Sequence, residues 1–145
     1  MSGQAKLYTP ELLACAVQLA EYPFASGFAT EADARSATCG STLRLGVDCD
    51  DEGRISALGL RAQACAVGQA AASIFAQSAR GQTATDIARA ADEIRFWLTD
   101  PEAPQPDWPR IDLLAPARSY PGRHGAILLA WDAAVRALSN PPRGG

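Results

Sequence analysis

Lysine is nearly missing from this chain: of thirteen basic residues only Lys6 is lysine, and the rest are arginine. Histidine is as scarce, with His124 alone. Both absences exclude chemistry. Schiff-base catalysis needs a desolvated lysine amine, whereas Lys6 stands in a polar N-terminal stretch. A multi-histidine metal site is ruled out, and one imidazole remains for acid–base work. Long apolar runs are missing too. "AILLAW" falls far short of the ~20 residues that cross a bilayer, so no membrane partner is expected. "MSGQAKLYTP" carries no apolar stretch behind its lysine, so no secretory leader is expected and the chain reads as cytoplasmic. Neither G-x-G-x-x-G nor G-x-x-x-x-G-K-[ST] spacing occurs, which removes the dinucleotide and phosphate-loop fingerprints. No hydrolase triad is visible, and nothing in the sequence orients His124 toward Cys65 as a thiol hydrolase would require.

What is present suits an ordinary soluble domain. The 145 residues are 48% hydrophobic and 20% charged, enough for one domain over 1–145 with a sizeable core. That core is expected over about 8–138, with a frayed tail at 140–145. A net charge of −3 argues against a nucleic-acid binder, which needs a basic stripe. In a reducing cytoplasm the four cysteines are thiols, metal ligands or catalytic groups rather than disulfides.

Thr9-Pro10 is a helix start, a hydroxyl cap followed by proline at the first helical position. Leu12, Cys15, Ala16 and Leu19 follow at helical spacing, so Cys15 is expected in the core. The stretch 21–40 reads as a loop punctuated by Pro23, Gly27 and Gly40. Alternation then begins: Leu43, Leu45, Val47 and Cys49 share one strand face, which makes Cys49 a second core residue. "DDEG" at 50–53 suits a hairpin with Gly53 in a left-handed position. The returning strand puts Leu58, Leu60 and Ala62 on one face. From Cys65 the period becomes helical, with Val67, Ala70, Ala71, Ile74 and Phe75 inward and Gly81 as the stop. A third helix starts at the cap Thr83, a short one runs through "RIDLLAPA", and a last one spans roughly 122–138. The order predicts an α+β fold, a small antiparallel sheet with helices packed on one face.

Two cysteines escape the core. Cys39 enters the first strand beside Gly40, and Cys65 leaves the second at a helix N-terminus. A hairpin centred on 50–53 pairs a position near 40 with one near 63. Cys39 and Cys65 are therefore expected at the same end of the sheet, within reach of one metal ion or cluster.

"TCGSTLRLGVDCDDEGRISALGLRAQACAVGQAAASIFAQSARGQT" resembles the core of the iron–sulfur scaffold family of IscU, SufU and the NifU N-terminal domain. The likeness lies in a Cys-Gly turn, a hairpin, and a Cys-Ala-Val opening of an alanine- and serine-rich helix. It continues through "YPGRHGAILLAWDAAVRAL", which is similar to the last SufU-type helix, and covers roughly 8–138. The resemblance implies a SufE/NifU-like fold and a non-enzymatic role in cluster assembly. In the family, three cysteines plus an aspartate or histidine hold zinc or a nascent cluster through soft, deprotonated ligands. The first two family cysteines fall on Cys39 and Cys65. The aspartate falls on Ser41, the third cysteine on Ala126 and the residue before it on Gly125.

What this implies stays open between readings. One is a scaffold or carrier that holds an iron–sulfur cluster, iron or zinc through Cys39 and Cys65, with His124 as a further ligand. A second chain, making a homodimer, or an external thiol could complete such a two-cysteine site. Its partners would be a cysteine desulfurase and iron–sulfur client proteins. Another is a metal-free acceptor of persulfide sulfur on Cys65, whose thiolate the helix N-terminus and Arg61 or Arg123 would favour. A third is an interaction module for a cysteine desulfurase in which both thiols are vestigial.

Overall fold

The computed structural model describes residues 7–37 and 40–139; Lys6, Cys39 and the expected frayed tail at 140–145 lie outside them. Helix α1 (Pro10–Gln18) leads through a 3₁₀ turn (Leu19–Glu21) into strands β1 (Thr30–Arg35), β2 (Thr42–Cys49) and β3 (Ile55–Gln63). Helices α2 (Ala66–Ala79) and α3 (Ala84–Thr99) follow. Two 3₁₀ segments (Ile111–Ser119 and Pro121–Arg123) then precede helix α4 (His124–Ser139). The strands form an antiparallel sheet in the order β1-β2-β3, as the α+β expectation required. Among the described residues no helix is long and apolar enough to cross a membrane.

The helix starts follow their local chemistry. Thr9 Oγ1 accepts from the Leu12 N–H at 3.1 Å, with Pro10 at the first helical position. At α3 the bonds are reciprocal: the Asp86 N–H donates to Thr83 Oγ1 at 3.2 Å, and the Thr83 N–H to Asp86 Oδ2 at 3.0 Å. This capping box satisfies donors that the helix itself leaves bare. The bond from the Thr83 N–H, and then that from its hydroxyl, hold the Asp86 carboxyl below its ordinary value.

Strand β1 corrects the loop expected over 21–40. Its sequence, TEADAR, has almost no β propensity, and pairing with β2 supplies the order instead. Ala32 and Ala34 lie opposite Leu45 and Leu43 on the core face. Glu31 and Asp33 lie on the outer face, both bonded to Arg44 at 2.9 Å. Charges there suit an edge strand, which they guard against pairing with another chain.

Three rows make the core face: Ala34–Leu43–Ala62, Ala32–Leu45–Leu60 and Thr30–Val47–Leu58. Helix α4 lies against β1 and β2, and α2 packs against β3, α1 and α4. Cys15 is fully buried, as its helical spacing requires. Cys49 is not a core residue. The ladder slips between Asp48 and Cys49, and the thiol emerges exposed. One extra residue is enough to break the alternation that its aliphatic neighbours share. Beneath the helices Phe75 stacks on Trp108 at 5.8 Å, and Trp131 stands nearly perpendicular to both. The Trp108 Nε1–H donates to the Ile74 carbonyl at 3.0 Å. The buried Trp131 Nε1–H has no such partner among the described residues.

On the outer face Gly46 and Gly59 are register partners. A Cβ on Gly59 would run into the Pro23 carbonyl oxygen, and one on Gly46 into Phe28. The segment 22–28 therefore straps the sheet at that row, with the Leu60 N–H donating to Tyr22 O at 2.8 Å.

Gly59→Ala should cost about 1–3 kcal/mol in urea unfolding, because backbone blocks the added carbon. Thr83→Ala should cost about 1 kcal/mol at neutral pH through the lost cap. The lowered Asp86 value means its stabilising contribution is complete above the ordinary carboxylate value and is lost as pH falls through the lowered one. Asp86→Asn should accordingly weaken the protein at neutral pH and flatten that acid limb of its stability curve.

Candidate functional site

The last sheet row, Arg35–Thr42–Gln63, fixes the end at which the site is built. Two residues beyond Gln63, Cys65 caps α2 in an extended conformation (φ −66°, ψ 172°). Its carbonyl accepts the Gln69 N–H at 2.9 Å, and its side chain makes no capping bond. The half-buried thiol packs at the margin of the core, at the positive end of the α2 dipole. At the same sheet end the chain turns from β1 into β2. The Ser36 N–H donates to Ser41 O at 2.8 Å, and the Gly40 N–H to Ser36 O at 3.2 Å with Gly40 at φ +70°. Cys39, expected in this turn, lies outside the described residues. Ser41 is buried.

The first turn of α4 comes against the first turn of α2. Gly68 faces Ala126 so closely that a Cβ on the glycine would lie 3.2 Å from Ala126 Cβ and 2.8 Å from Ala64 Cβ. Ala126 is 1% exposed and brings no donor atom. Two residues earlier, His124 opens α4 half-buried, with Nε2 3.1 Å from Arg118 O. A carbonyl only accepts, so Nε2 carries the proton, and the lone pair of the neutral ring is on Nδ1. A histidine whose far nitrogen donates to a carbonyl has the arrangement usual for a metal ligand.

The remaining cysteines are elsewhere. Cys15 is sealed in the core, and Cys49 sits at the hairpin tip. Partial burial, then the charges of Asp50 and Asp48, push the Cys49 thiol up from its ordinary value. That disfavours the thiolate a metal or an electrophile would need. Among the described residues no three histidine, cysteine or carboxylate side chains gather closely enough to hold a metal ion. Cys65 and His124 stand at the openings of two helices whose first turns meet at Gly68 and Ala126.

Sequence reasoning named Arg61 beside Cys65 but missed the other arginines at this sheet end. Arg35 escaped because β1 itself was read as loop, and Arg44 was given no role beyond its outward position in β2.

No protein-family model and no curated protein matches the chain. Solved structures do. One is the N-terminal part of a nitrogen-fixing NifU-like protein from Brucella abortus, 27% identical, with a TM-score of 0.85 over 95% of this chain and 96% of that one. Another is a putative iron–sulfur cluster assembly scaffold protein of the SUF system from Fervidobacterium islandicum AW-1. It is 17% identical, with a TM-score of 0.77 over 92% of this chain and 98% of that one. The element order, the hairpin register, Cys65 at the cap of α2 and these superpositions over more than nine-tenths of each chain converge: the chain has the fold of, and resembles, the IscU/SufU/NifU scaffolds.

Proposed function

We propose that the chain is an iron–sulfur cluster assembly scaffold or carrier whose cargo, a cluster, iron or zinc, is held through Cys65 and Cys39 with His124 as a third donor. The observation that carries this reading is the contact between the Cys65–Gly68 and His124–Ala126 turns. Thiolate and imidazole together suit zinc and iron. Cys39 directly precedes Gly40 in the sequence, and Gly40 belongs to the turn at the same sheet end; a fourth position is left for an external thiol or a second copy of the chain. A cysteine desulfurase would supply sulfur and a client protein would receive the cargo, both in the cytoplasm. The similarity to a scaffold protein of the SUF system supports that placement in the pathway.

Ala126 at the third cysteine position favours a second reading, in which Cys65 accepts sulfur without metal. The Cys65 thiolate attacks the outer sulfur of the desulfurase persulfide. A persulfide forms on Cys65, and the desulfurase cysteine leaves as a thiol.

Anaerobic purification followed by metal and acid-labile sulfide analysis separates the two. The scaffold reading expects stoichiometric metal, lost in both Cys65→Ser and Cys39→Ser. His124→Ala should lower zinc affinity by about tenfold or more, and Ala126→Cys should raise it by adding a thiolate. Because the ligands must be deprotonated, retention should rise with pH. A wild-type protein free of metal that gains one sulfur atom on Cys65 from a desulfurase, even as Cys39→Ser, would establish the second reading and reject the first. If the two cysteine variants match wild type in metal, sulfur uptake and desulfurase binding alike, the fold is an interaction module.

A further inference from the structure

A shallow cavity of about 380 Å³ opens on the outer face of the sheet, at the end from which Cys65 departs. Its floor is two register rows, Asp33–Arg44–Arg61 and Arg35–Thr42–Gln63. Alternate strand positions share a face, so these six side chains stand on one side of the sheet. The strap over Gly46 and Gly59 covers the next row and bounds the cavity there. On the β1 side Arg136 reaches in from α4, donating to Asp33 O at 2.8 Å.

The arginines are not equivalent. Arg44 is held by Glu31 and Asp33, and Arg136 by the backbone of β1. Arg35 and Arg61 have no carboxylate within ion-pair reach among the described residues. Yet Arg61 lies directly opposite Arg44, an arrangement that like charges disfavour. Both guanidinium carbons sit over the Phe24 ring, 5.6 Å and 5.1 Å from its centroid. Cation–π attraction to that one ring holds the two cations in place. The lining sets four guanidiniums against one carboxylate, in a chain whose net charge is −3. Folding gains nothing from collecting unpaired cations, and a local conflict of this kind is characteristic of a functional site.

We propose that this arginine-floored cavity binds a small polyanion, a di- or tricarboxylate or a phosphate compound. Arg35 and Arg61 supply the charged forks, and Thr42 and Gln63 supply neutral donors. A planar guanidinium matches carboxylate and phosphate oxygens two at a time. The volume falls in the range of small-ligand clefts, ~300–1,000 Å³, and the strap stops the groove after two rows, which favours a compact ligand over an extended acidic peptide. The site needs neither Cys65 nor His124 and so stands apart from the cargo reading.

The full chain is titrated calorimetrically at low ionic strength with citrate and, separately, with inorganic pyrophosphate. Amide shifts are followed by NMR. Saturable one-to-one binding is expected, with shifts centred on Arg61, Gln63 and Thr42; the tighter of the two probes identifies the ligand as carboxylate or phosphate. Arg61→Gln and Arg35→Gln should each weaken it about tenfold, the order of one charge-assisted hydrogen bond. Arg61→Lys should recover only part, since it keeps the charge and loses the fork. Arg89→Gln, on the exposed side of α3, should bind as wild type does. All three positions are exposed, and circular dichroism checks that each variant folds. No saturable binding of either probe, or equal weakening in Arg89→Gln, overturns the proposal. So does a glutamate-rich decapeptide that binds more tightly than both probes through the same arginines, which would make the face a protein-docking surface.

Discussion

Between the first turns of α2 and α4 the methyls of two alanines leave no room for a side chain at position 68. A Cβ there would meet Ala64 at 2.8 Å and Ala126 at 3.2 Å. The close approach has two consequences. It sets the depth at which α4 lies on the sheet, because the same helix covers β1 and β2 along its length. It also brings the residues that open α4 against those that open α2, so that Cys65 and His124 belong to neighbouring turns. A bulkier residue at 68 would have to part those turns or tilt a helix, and the tight interior would pass the strain on. The candidate site thus depends on an absent side chain more than on any present one.

Much of this was legible in the sequence because the relevant signals are short-range. Thr9-Pro10, Thr83, and Gly81 at φ +86° mark helix ends through contacts within a few residues. The β2–β3 register followed from a hairpin loop with Gly53 at φ +79° and from the aliphatic alternation. What was not legible depended on partners distant in the chain. TEADAR becomes a strand only because β2 offers it an edge, and Cys49 leaves the core through a slip in the ladder that no composition announces. The missing third thiol was legible as Ala126, which the structure buries. The bond from His124 to Arg118 O was not, since it depends on the packing of a separate segment, and Cys39 lies outside the described residues.

The sheet is electrically lopsided along its strands. At the hairpin tip Asp48, Asp50, Asp51 and Glu52 surround Cys49 in the sequence. The Asp50 carboxyl is held below its ordinary value, chiefly by the bond from the Arg54 N–H. At the opposite end stand Arg35, Arg44 and Arg61, with the N-terminus of α2 beside them. A thiol at the acidic tip meets repulsion on ionising, whereas Cys65 leaves the sheet at the end where the cations collect. Of the three cysteines described, only Cys65 combines partial exposure with a helix N-terminus. Hairpin polarity, set by where the turn residues fall, therefore sorts the thiols by the chemistry open to them.

The orientation of His124 is decided still further away. Its Nε2–H donates to the carbonyl of Arg118, a residue pinned at its other end. The Arg118 Nε–H reaches Trp97 O at 2.8 Å, an Nη2–H reaches Asp100 O at 2.9 Å, and the guanidinium carbon lies 5.0 Å from the Trp97 ring centroid. These bonds satisfy carbonyls that the last turn of α3 leaves bare, so Arg118 ends one helix and aims the first residue of the next. Turning the imidazole away would surrender its bond to a carbonyl whose own position is fixed by a cap some distance off. The proton is thereby kept on Nε2 and the lone pair on Nδ1. Whatever Nδ1 meets in solution, it is the capped end of α3 that presents it.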